Sequence, residues 1–408
     1  MNILILNHYA GSPEMGMEFR PYYMAREWIR QGHEVDIIAA DYSHLRRKNP
    51  KVQRDWQIEE IDGIRYHWLR TGDYDGNGVR RALTMFRFVG KIWLKAKVIA
   101  REWKPDVVIT SSTYPLDTYA GQRIRKYCLK DIKLIHEVHD MWPITLIELG
   151  HMKKTNPFVI LMQIAENSFC KKSDRIVSLL PNADRYFMQH GMPKDHFSVV
   201  SNGIVKSEWD HPTPLPKEHT EVFESLKKDG KFIICFFGSH TEAYALTHLI
   251  QAVQSINNKK IAVVFVGNGP QKKELEYLAL NKPGCNVSFL PPVPKTSIPN
   301  LVANTDVLYV GALKNDMFRF GICMNKLFDS MMSERPILYA VAAPNNYIAE
   351  YNCGVSVEAE NINALRNGIL CLYHMNPEQR ERLGKNGRKA VLEHFTYEKL
   401  AADFAALF

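Results

Sequence analysis

Short apolar runs alternate with amphipathic stretches twice along this chain. In the first half the apolar runs predict strands at 3–6, 35–39, 107–110, 134–138 and 175–178, with helices such as 20–31 and 117–128 between them. In the second half they predict strands at 232–237, 262–266, 287–289, 307–310 and 336–339. Each run is almost continuously apolar, as expected of parallel strands covered on both faces. The pattern therefore predicts an α/β chain with two doubly wound, Rossmann-like domains.

A segment rich in proline and polar residues separates the two halves. It extends over 202–230 and is predicted to be the linker. The first domain is placed at 1–205 and the second at 206–385. Residues 377–408 are predicted to form two helices with a break near 394–396, and the last segment, 386–408, is predicted to cross back onto the first domain.

The composition is that of an ordinary soluble globular chain. Its 408 residues exceed what one core usually supports, and 46% are hydrophobic while 24% are charged. No run reaches the ~20 apolar residues of a membrane span, and the sequence opens directly on an apolar strand, so we expect a cytoplasmic protein. The seven cysteines are scattered and never spaced C-x-x-C. We expect them to be small buried side chains, neither disulfides nor metal ligands.

The net charge of +8 suits an anionic partner, and much of the excess lies in one predicted helix, 78–104. The helix has an apolar stripe at Met85, Val89, Ile92, Ala96, Ile99 and Trp103. Its other side carries Arg80, Arg87, Lys91 and Arg101, with Phe86 and Trp93 at the border. Such a helix is suited to an anionic bilayer, which would make the protein peripheral on the inner face of the membrane. The same pattern is expected of a helix whose basic face is in solvent and whose apolar stripe packs against the protein core. Both interpretations stay open. We expect no nucleic-acid partner.

A glycine-containing loop runs into a helix at 318–336, FRFGICMNKLFDSMMSERP. Unpaired N–H groups and the helix dipole favour an anion at a helix N-terminus, and Lys326 adds a positive charge in the first turn. Asp329 follows one turn later on the same face, where its carboxylate can accept hydrogen bonds from the hydroxyls of a ribose. The pattern indicates a nucleotide diphosphate site. The alternative is an amphipathic helix that only packs against a core through Leu327, Phe328, Met331 and Met332.

Residues just after parallel strands are further candidates, because ligands bind beyond the carboxyl ends of such strands. After the first strand, a long loop with Gly11 and Gly16 leads to a helix with Arg20 in its first turn. The loop is permissive enough to fold over a ligand, although a plain surface loop has the same pattern.

Two polar residues follow the fourth strand directly. His139 can donate a hydrogen bond to a sugar or phosphate, and Asp140 can orient it or bind a hydroxyl. Trp142 and the helix breaker Pro143 come next. The competing interpretation is a histidine that only caps the strand, and His136, within the strand, is expected to be structural.

The second half has two glycine turns, each after a predicted strand. Gly238 and Ser239 follow one strand, and Gly267, Asn268 and Gly269 follow the next. Short glycine turns let the backbone approach a phosphate or a sugar closely. Two such turns ahead of the Lys326 helix support the nucleotide site more strongly than either one alone.

The order of these motifs resembles the retaining family 4 glycosyltransferases of the GT-B fold. The resemblance spans essentially the whole chain and rests on RQGHEVDIIAA, KPDVVIT, HDMWP, SNGI, VGNGPQKKELE, PPVPKTSIPNLVANTDVLYV, NKLFDSM and ERPILYA. Within this family, the chain most resembles the subset that includes the fucosamine transferase WbuB. The resemblance implies two Rossmann-like domains facing a central cleft, with a C-terminal helix crossing back.

The resemblance also implies an activity. A hexosyl or N-acetylhexosaminyl group would move from a nucleotide diphosphate sugar, expected to be UDP-linked, to an acceptor. The acceptor would be a glycan or a polyprenyl-diphosphate-linked sugar in bacterial surface polysaccharide synthesis, of the O-antigen or capsule type. No cofactor is implied beyond the donor substrate.

Roles for single residues follow from the residue pattern together with the resemblance, which itself implies those of His139, Gly238, Gly267, Gly269, Pro292, Val293, Lys326 and Asp329. The catalytic residues would be His139, Asp140 and Lys326, with His139 contacting the sugar and Lys326 the diphosphate. The donor-binding residues would be Gly16, Gly238, Ser239, Gly267, Asn268, Gly269, Pro292, Val293, Arg319, Gly321, Ile322, Asn325, Lys326, Leu327 and Asp329. The acceptor-binding residues would be Arg20 and Trp142.

The chain departs from the family pattern at one glutamate of a pair spaced eight positions apart. Asp329 stands at the second position and Gly321 at the first, so backbone around 320–323 is expected to hold the donor-sugar hydroxyls. Because of Gly321, a nucleotide-binding or scaffolding subunit without turnover stays open, as does a sugar-nucleotide epimerase. Asp73 and Asp75 form a D-x-D string, but their loop lies far in sequence from the Lys326 helix, and we predict no metal.

Overall fold

The structure is a computed structural model that describes residues 1–16, 19–280 and 286–408. The chain divides into two compact units. Unit 1 comprises 1–201 and 397–408, and unit 2 comprises 202–396. Each unit has helices packed around a mostly parallel sheet, so the predicted fold class of two doubly wound units is confirmed.

Unit 1 contains an eight-stranded sheet. Its strands are β1 (Asn2–Leu6), β2 (Glu34–Ala40), β3 (Gln57–Ile61), β4 (Ile64–Leu69), β5 (Val107–Thr110), β6 (Lys133–Val138), β7 (Arg175–Ser178) and β8 (Phe197–Val199). Their order is β3-β4-β2-β1-β5-β6-β7-β8, and of these pairs only β3 with β4 is antiparallel. The five strands predicted in this half are confirmed. The sequence pattern does not predict β3, because it is an edge strand whose three middle side chains, including two glutamates, are exposed.

The first six α-helices belong to unit 1. They are α1 (Phe19–Arg30), α2 (Val79–Val98), α3 (Thr118–Tyr127), α4 (Ile144–Glu148), α5 (Pro157–Lys172) and α6 (Asp184–Gln189). The predicted helix 78–104 is α2 followed by a π-helical turn, Ile99–Trp103, which ends where Lys104 has a φ of 48°. The predicted apolar stripe is buried at Met85, Ile92, Ala96 and Ile99.

Unit 2 contains a six-stranded parallel sheet. Its strands are β9 (Phe232–Phe237), β10 (Ile261–Val266), β11 (Asn286–Leu290), β12 (Val307–Gly311), β13 (Ile337–Ala340) and β14 (Gly354–Ser356), in the order β11-β10-β9-β12-β13-β14. Its helices are α7 (Lys206–Asp210), α8 (Lys217–Lys228), α9 (Leu246–Ile256), α10 (Lys272–Leu280), α11 (Ile298–Val302), α12 (Asn325–Met332), α13 (Tyr347–Glu350), α14 (Ile362–His374) and α15 (Pro377–His394). The five predicted strands of the second half are confirmed, and β14 is an addition.

The predicted linker, 202–230, is an integral part of unit 2. It holds α7 and α8, and Phe223 of α8 is 1% exposed in a core with β9, β10 and β12. Thr213, between the two helices, bonds to Thr296 and Ser297 through its hydroxyl. The linker prediction is therefore wrong, because the prolines of this segment separate two short helices and do not mark an unpacked connection.

The last helix, α16 (Tyr397–Ala405), packs on α1 of unit 1. Trp28 Nε1 donates to the carbonyl oxygen of Ala401 at 2.9 Å, and the Trp28 ring meets Phe404 edge-on at 5.2 Å. The preceding helix, α15, stays with unit 2, where a Cβ at Gly387 would lie 2.8 Å from the Met331 carbonyl oxygen. The division thus falls after Thr396, and the predicted boundary at 386 lies inside a continuous helix.

Two further predictions concern membranes and cysteines. None of the described helices is long and apolar enough to cross a bilayer. The six described cysteines are free, and Cys170, Cys235 and Cys353 are buried as expected, whereas Cys371 is exposed. Cys285 lies outside the described residues.

Candidate functional site

Helix α12 of unit 2 begins after a loop glycine whose positive φ and extended ψ are adopted almost only by glycine. Gly321 has a φ of 97° and follows a 3₁₀ turn at Asp316–Phe320. The N-cap residue of α12, Met324, contributes no side-chain hydrogen bond to the first turn. The start of α12 therefore has the form predicted for an anion-binding helix end.

The Lys326 side chain reaches from α12 to the loop after β9. Its Nζ lies 3.2 Å from the centre of the Tyr244 ring and 4.0 Å from that of Phe236. A Cβ at Gly238 would be only 2.9 Å from the same atom. The Nζ atom is buried and has no hydrogen-bond partner among the described residues. We call Phe236, Gly238, His240, Tyr244 and Lys326 the Lys326 cluster.

The charge of Lys326 is costly in this position. Burial lowers the pKa of its amine well below the ordinary value. The two aromatic faces offset part of that cost through cation–π attraction. An anion bound beside Nζ would favour the ammonium form, so the Lys326 cluster is suited to a negatively charged ligand.

The glycine loops after β9 and β10 pack directly on each other. Gly238 and Gly267 have φ values of 134° and 148°. A Cβ at Gly267 would lie 1.9 Å from the Gly238 carbonyl oxygen, and one at Gly269 would lie 2.4 Å from that of His240. These positions accept only glycine, because the two backbones leave no room for a side chain. The predicted pair of glycine turns is thus brought together at Lys326.

Asp329 lies one turn after Lys326 but has different neighbours. Burial, helped by Glu208 and opposed by Lys295 and the Trp209 indole, raises the pKa of its half-buried carboxyl to about 6. Lys295 and Glu208 form an ion pair at 3.2 Å. Asp329 is therefore held in a polar patch formed by α7 and the loop after β11. Its role toward a ribose stays a prediction.

The Asp329→Asn variant is expected to be more stable than wild type at alkaline pH. The folded pKa of about 6 lies above the reference value of 3.8, so the wild type loses stability as pH rises through 6. With allowance for partial solvent screening, the gain in unfolding free energy at pH 8 should be about 1–2 kcal/mol and should vanish near pH 4. Denaturant unfolding at both pH values measures it, with exposed Asp229→Asn as control. An equal gain at both pH values would contradict the explanation.

The remaining predicted donor residues fall into two groups. The side chains of Ile322 and Leu327 are buried in the core, at 3% and 0% exposure. Exposed or half-buried positions are Ser239, Asn268, Pro292, Val293, Arg319 and Asn325. The backbone of Ile322 is not open to a sugar hydroxyl, because Asn345 bonds both its N–H and its carbonyl oxygen at 2.8 Å. The expectation that backbone around 320–323 replaces the missing glutamate stays a prediction.

In unit 1, His139 is part of a buried polar cluster. Its Nε2 lies 3.1 Å from Glu137 Oε2 and 2.9 Å from Ser111 Oγ. Ser111 Oγ also donates to Glu137 Oε2 at 2.5 Å. Burial alone would raise the pKa of Glu137, but Arg20, His139 and Ser111 together hold it below its ordinary range. We call Arg20, Ser111, Glu137 and His139 the His139 cluster.

Arg20 is a member of this cluster and not an open acceptor-binding residue. Its side chain is 5% exposed, and Nε bonds Glu137 Oε1 at 2.9 Å. Its other two nitrogens donate to the carbonyl oxygens of Ser201 and Val200. The acceptor prediction for Arg20 does not fit this arrangement, because all three nitrogens already bond to the protein.

The other unit 1 predictions have mixed outcomes. Asp140 is exposed, and Trp142 is half-buried with the Arg81 guanidinium 5.9 Å from its ring centre. Gly16 has a φ of 89° and lies against the Arg47 side chain. His136 is structural as predicted, since it is 2% exposed and stacks on Phe169 at 3.8 Å.

Two family models match the chain in succession. Residues 15–208 match Glycosyltransferase Family 4, and residues 217–390 match Glycosyl transferases group 1. The chain belongs to glycosyltransferase family 4. The narrower likeness to WbuB stays a prediction.

One curated relative and several solved structures are similar to this chain. The probable glycosyltransferase WbjE of Pseudomonas aeruginosa is 24% identical over 242 residues, which are 59% of this chain and 59% of WbjE, so less than two thirds of that relative is spanned. The structure of HepE from Anabaena in complex with UDP has a TM-score of 0.67 at 16% identity, covering 100% of this chain and 99% of HepE. WaaG, a glycosyltransferase involved in lipopolysaccharide biosynthesis, has a TM-score of 0.65 at 14% identity, with 100% and 99% covered. The fold is that of the GT-B glycosyltransferases.

Sequence reasoning on this family 4 chain missed several site residues. Phe236, His240 and Tyr244 join Lys326 only through long-range packing. Glu137 did leave a signal in the sequence, because a glutamate next to His136 interrupts the apolar pattern of the predicted strand 134–138. A buried charge in a strand usually has a partner or a function.

The D-x-D string of this family 4 chain has no metal-site geometry in the part of the structure that is described. Asp73 and Asp75 are exposed on either side of buried Tyr74, and the described residues contain no group of three or more His, Cys, Asp or Glu able to hold an ion. Metal independence stays a prediction.

Proposed function

We propose that this chain is a retaining glycosyltransferase that takes a hexosyl or N-acetylhexosaminyl group from a UDP-sugar. The observation that carries the proposal is the buried Lys326 Nζ, which faces the paired glycine loops with no hydrogen-bond partner among the described residues. A nucleotide diphosphate supplies the anion that such an amine lacks. The acceptor is proposed to be a glycan or polyprenyl-diphosphate-linked sugar of O-antigen or capsule synthesis.

The chemistry assigned to Lys326 is stabilisation of the leaving group. When the bond between the anomeric carbon and the diphosphate oxygen breaks, negative charge builds up on the diphosphate. A positive charge held at a fixed position in a water-poor site stabilises that charge more strongly than water does. The acceptor hydroxyl is proposed to attack from the face that the diphosphate leaves, passing its proton to an oxygen of the leaving diphosphate, which retains the anomeric configuration. This scheme requires no metal.

Similar proteins support the choice of donor and pathway. HepE binds UDP, and WaaG acts in lipopolysaccharide biosynthesis. WbjE is itself named a probable glycosyltransferase. These are properties of the relatives, and they support the same class of donor and product for this chain.

The test is calorimetric binding of UDP, GDP, ADP and CDP, followed by a transfer assay with sugars of the nucleotide that binds. Saturable UDP binding and a glycosylated lipid-linked product, unchanged by EDTA, support the proposal. Isomerised donor without transfer would identify an epimerase instead. Nucleotide binding without turnover of any donor would identify a non-catalytic subunit.

We also propose that α2 binds this chain to an anionic membrane surface. An apolar face recurs at three- and four-residue spacing along α2, and its exposed side chains are Val79, Leu83, Phe86, Leu94 and Val98. No acidic residue occurs in α2. Arg80, Lys97 and Arg101 are exposed beside this face. Basic charge around exposed apolar side chains is the pattern of a helix that lies in a lipid headgroup region.

Two of the basic residues named from the sequence, Arg87 and Lys91, are left out of the proposed surface because they bond within unit 1. Arg87 Nη1 donates to the Thr71 carbonyl oxygen at 2.9 Å, and Lys91 pairs with Asp55 at 2.6 Å. Both therefore hold α2 to its own unit. The lipid-binding set is proposed to be Arg80, Lys97 and Arg101.

Replacing Arg80, Lys97 and Arg101 together with glutamine should weaken binding to phosphatidylglycerol-containing vesicles about 100-fold. The estimate follows from roughly 1 kcal/mol per basic residue near an anionic surface. Vesicle co-sedimentation measures it, and the control neutralises three exposed lysines of unit 2, Lys228, Lys259 and Lys273. Equal losses in both variants would show attraction by net charge alone and would contradict a specific α2 surface.

A further inference from the structure

His240 lies between the two glycine loops of the Lys326 cluster. Its N–H donates to the Asn268 carbonyl oxygen at 2.9 Å, and its own carbonyl oxygen accepts from the Gln271 N–H at 3.0 Å. The loops after β9 and β10 are thus joined through the backbone of this one residue. The histidine side chain is held at the position where the two glycine turns meet.

The imidazole of His240 is buried without a hydrogen bond. Its exposure is 0%, and neither Nδ1 nor Nε2 has a partner among the residues that the structure describes. The rings of Phe236, Phe265 and Phe289 surround it at 6.1–6.2 Å between centres. Buried polar groups in folded proteins are nearly always bonded. A ring with two unsatisfied nitrogens therefore points to a ligand.

The surroundings of the ring favour a negatively charged ligand. Nε2 lies 3.3 Å from the place a Cβ would take at Gly267, so the ring nitrogen adjoins the contact between the two glycine loops. Burial, followed by the positive charges of Lys272 and Lys326, lowers the pKa of His240 to about 4. The same two charges that disfavour an imidazolium attract an anion, and a neutral imidazole still has one N–H to donate.

We propose that His240 is a second diphosphate-binding residue, whose imidazole N–H donates to an oxygen of the nucleotide diphosphate bound at Lys326. This inference rests on the proposed function. It adds a second residue of unit 2 that binds the same diphosphate as Lys326. The glycines at 267 and 269 allow the two loops to close on each other, which brings the imidazole beside the phosphate position.

The test compares UDP with uridine as probes on His240→Phe and His240→Gln. Phenylalanine keeps the ring among its three aromatic neighbours but removes the donor, and glutamine restores a donor. His240→Phe should bind UDP about 10- to 100-fold more weakly while its uridine affinity stays within about twofold, because a hydrogen bond to a charged group is lost. His240→Gln should recover part of the UDP affinity. Thermal unfolding of each variant shows that the fold is kept.

Two results would overturn the inference while leaving the proposed function intact. One is unchanged UDP affinity in His240→Phe. The other is an equal loss of UDP and uridine affinity, which would show that the ring only shapes the loop.

Inorganic diphosphate separates the inference from the proposed function. Suppose that the wild type binds none of UDP, GDP, ADP and CDP, yet binds inorganic diphosphate in a way that His240→Phe abolishes. The anion role of His240 is then supported, although the transferase proposal fails. If the wild type binds neither nucleotide nor inorganic diphosphate, both are overturned.

Discussion

Replacing Lys326 with alanine is expected to lower kcat/KM for sugar transfer by about 10²–10³-fold, the usual effect of removing one fixed donor to a developing negative charge. The Nζ atom is buried between Phe236 and Tyr244 and has no other partner in the described part of the chain. UDP affinity should fall as well, since the released UDP carries in full the negative charge that builds up on the diphosphate in the transition state.

Two further variants test whether the expected loss of activity is specific to the charge and position of Lys326. Lys326→Arg keeps the charge but not the geometry, so it should recover only part of kcat/KM. Lys314→Ala removes an exposed lysine that pairs with Glu358 at 3.1 Å, and it should leave transfer unchanged. Steady-state kinetics with a UDP-sugar measure all three. If Lys326→Ala kept kcat/KM within about threefold of wild type, the leaving-group role would be untenable.

The local part of the Lys326 cluster could be predicted from sequence. A glycine loop, a helix start and a lysine in the first turn are adjacent in the chain, and the structure places them as expected. The glycine turns at 238 and 267 were also predictable, because strand ends of a parallel sheet lie at one edge. Sequence spacing therefore suffices where the site is built from consecutive residues and from the order of strands.

The enclosing part of the cluster could not be predicted. Tyr244 lies before α9 and Lys326 lies 82 positions later, yet the amine sits 3.2 Å from the tyrosine ring centre. Nothing in the pattern of either segment indicates that contact. The same holds for His240, whose importance comes from unsatisfied ring nitrogens and not from a motif. Burial and hydrogen-bond pairing are properties of the packed chain.

The Asp329 prediction shows the limit of helical periodicity. Spacing of three correctly puts Asp329 and Lys326 on neighbouring parts of α12. The two side chains nevertheless diverge, because Asp329 meets Trp209, Lys295 and Glu208 while Lys326 extends to the β9 loop. Periodicity gives the face of a helix, whereas side-chain direction depends on the neighbours.

Arg20→Ala is expected to lower the unfolding free energy by about 3–5 kcal/mol at neutral pH, the usual cost of leaving a buried charge without its partner. The substitution leaves the Glu137 carboxylate, whose side chain is 6% exposed, without its cationic partner. It also removes the hydrogen-bond donors to the carbonyl oxygens of Val200 and Ser201. Arg20 helps to hold the pKa of Glu137 low, so the paired carboxylate stabilises the fold above its unfolded pKa and this stability is lost as pH falls. The loss of unfolding free energy in Arg20→Ala should therefore be smaller in acid, where the unpaired Glu137 carboxyl can take up a proton.

The double variant Arg20→Met with Glu137→Leu tests whether the unpaired charge of Glu137 causes the loss of stability. Removing both charges together avoids an unpaired ion, so much of the lost stability should return, although His139 and Ser111 lose a partner. Denaturant unfolding of both variants at pH 7.5 and pH 5 gives the comparison. An Arg20→Ala protein of wild-type stability, with only a raised KM for acceptor, would instead restore Arg20 as an acceptor-binding residue. The two outcomes distinguish a side chain that stabilises the fold from one that binds the acceptor.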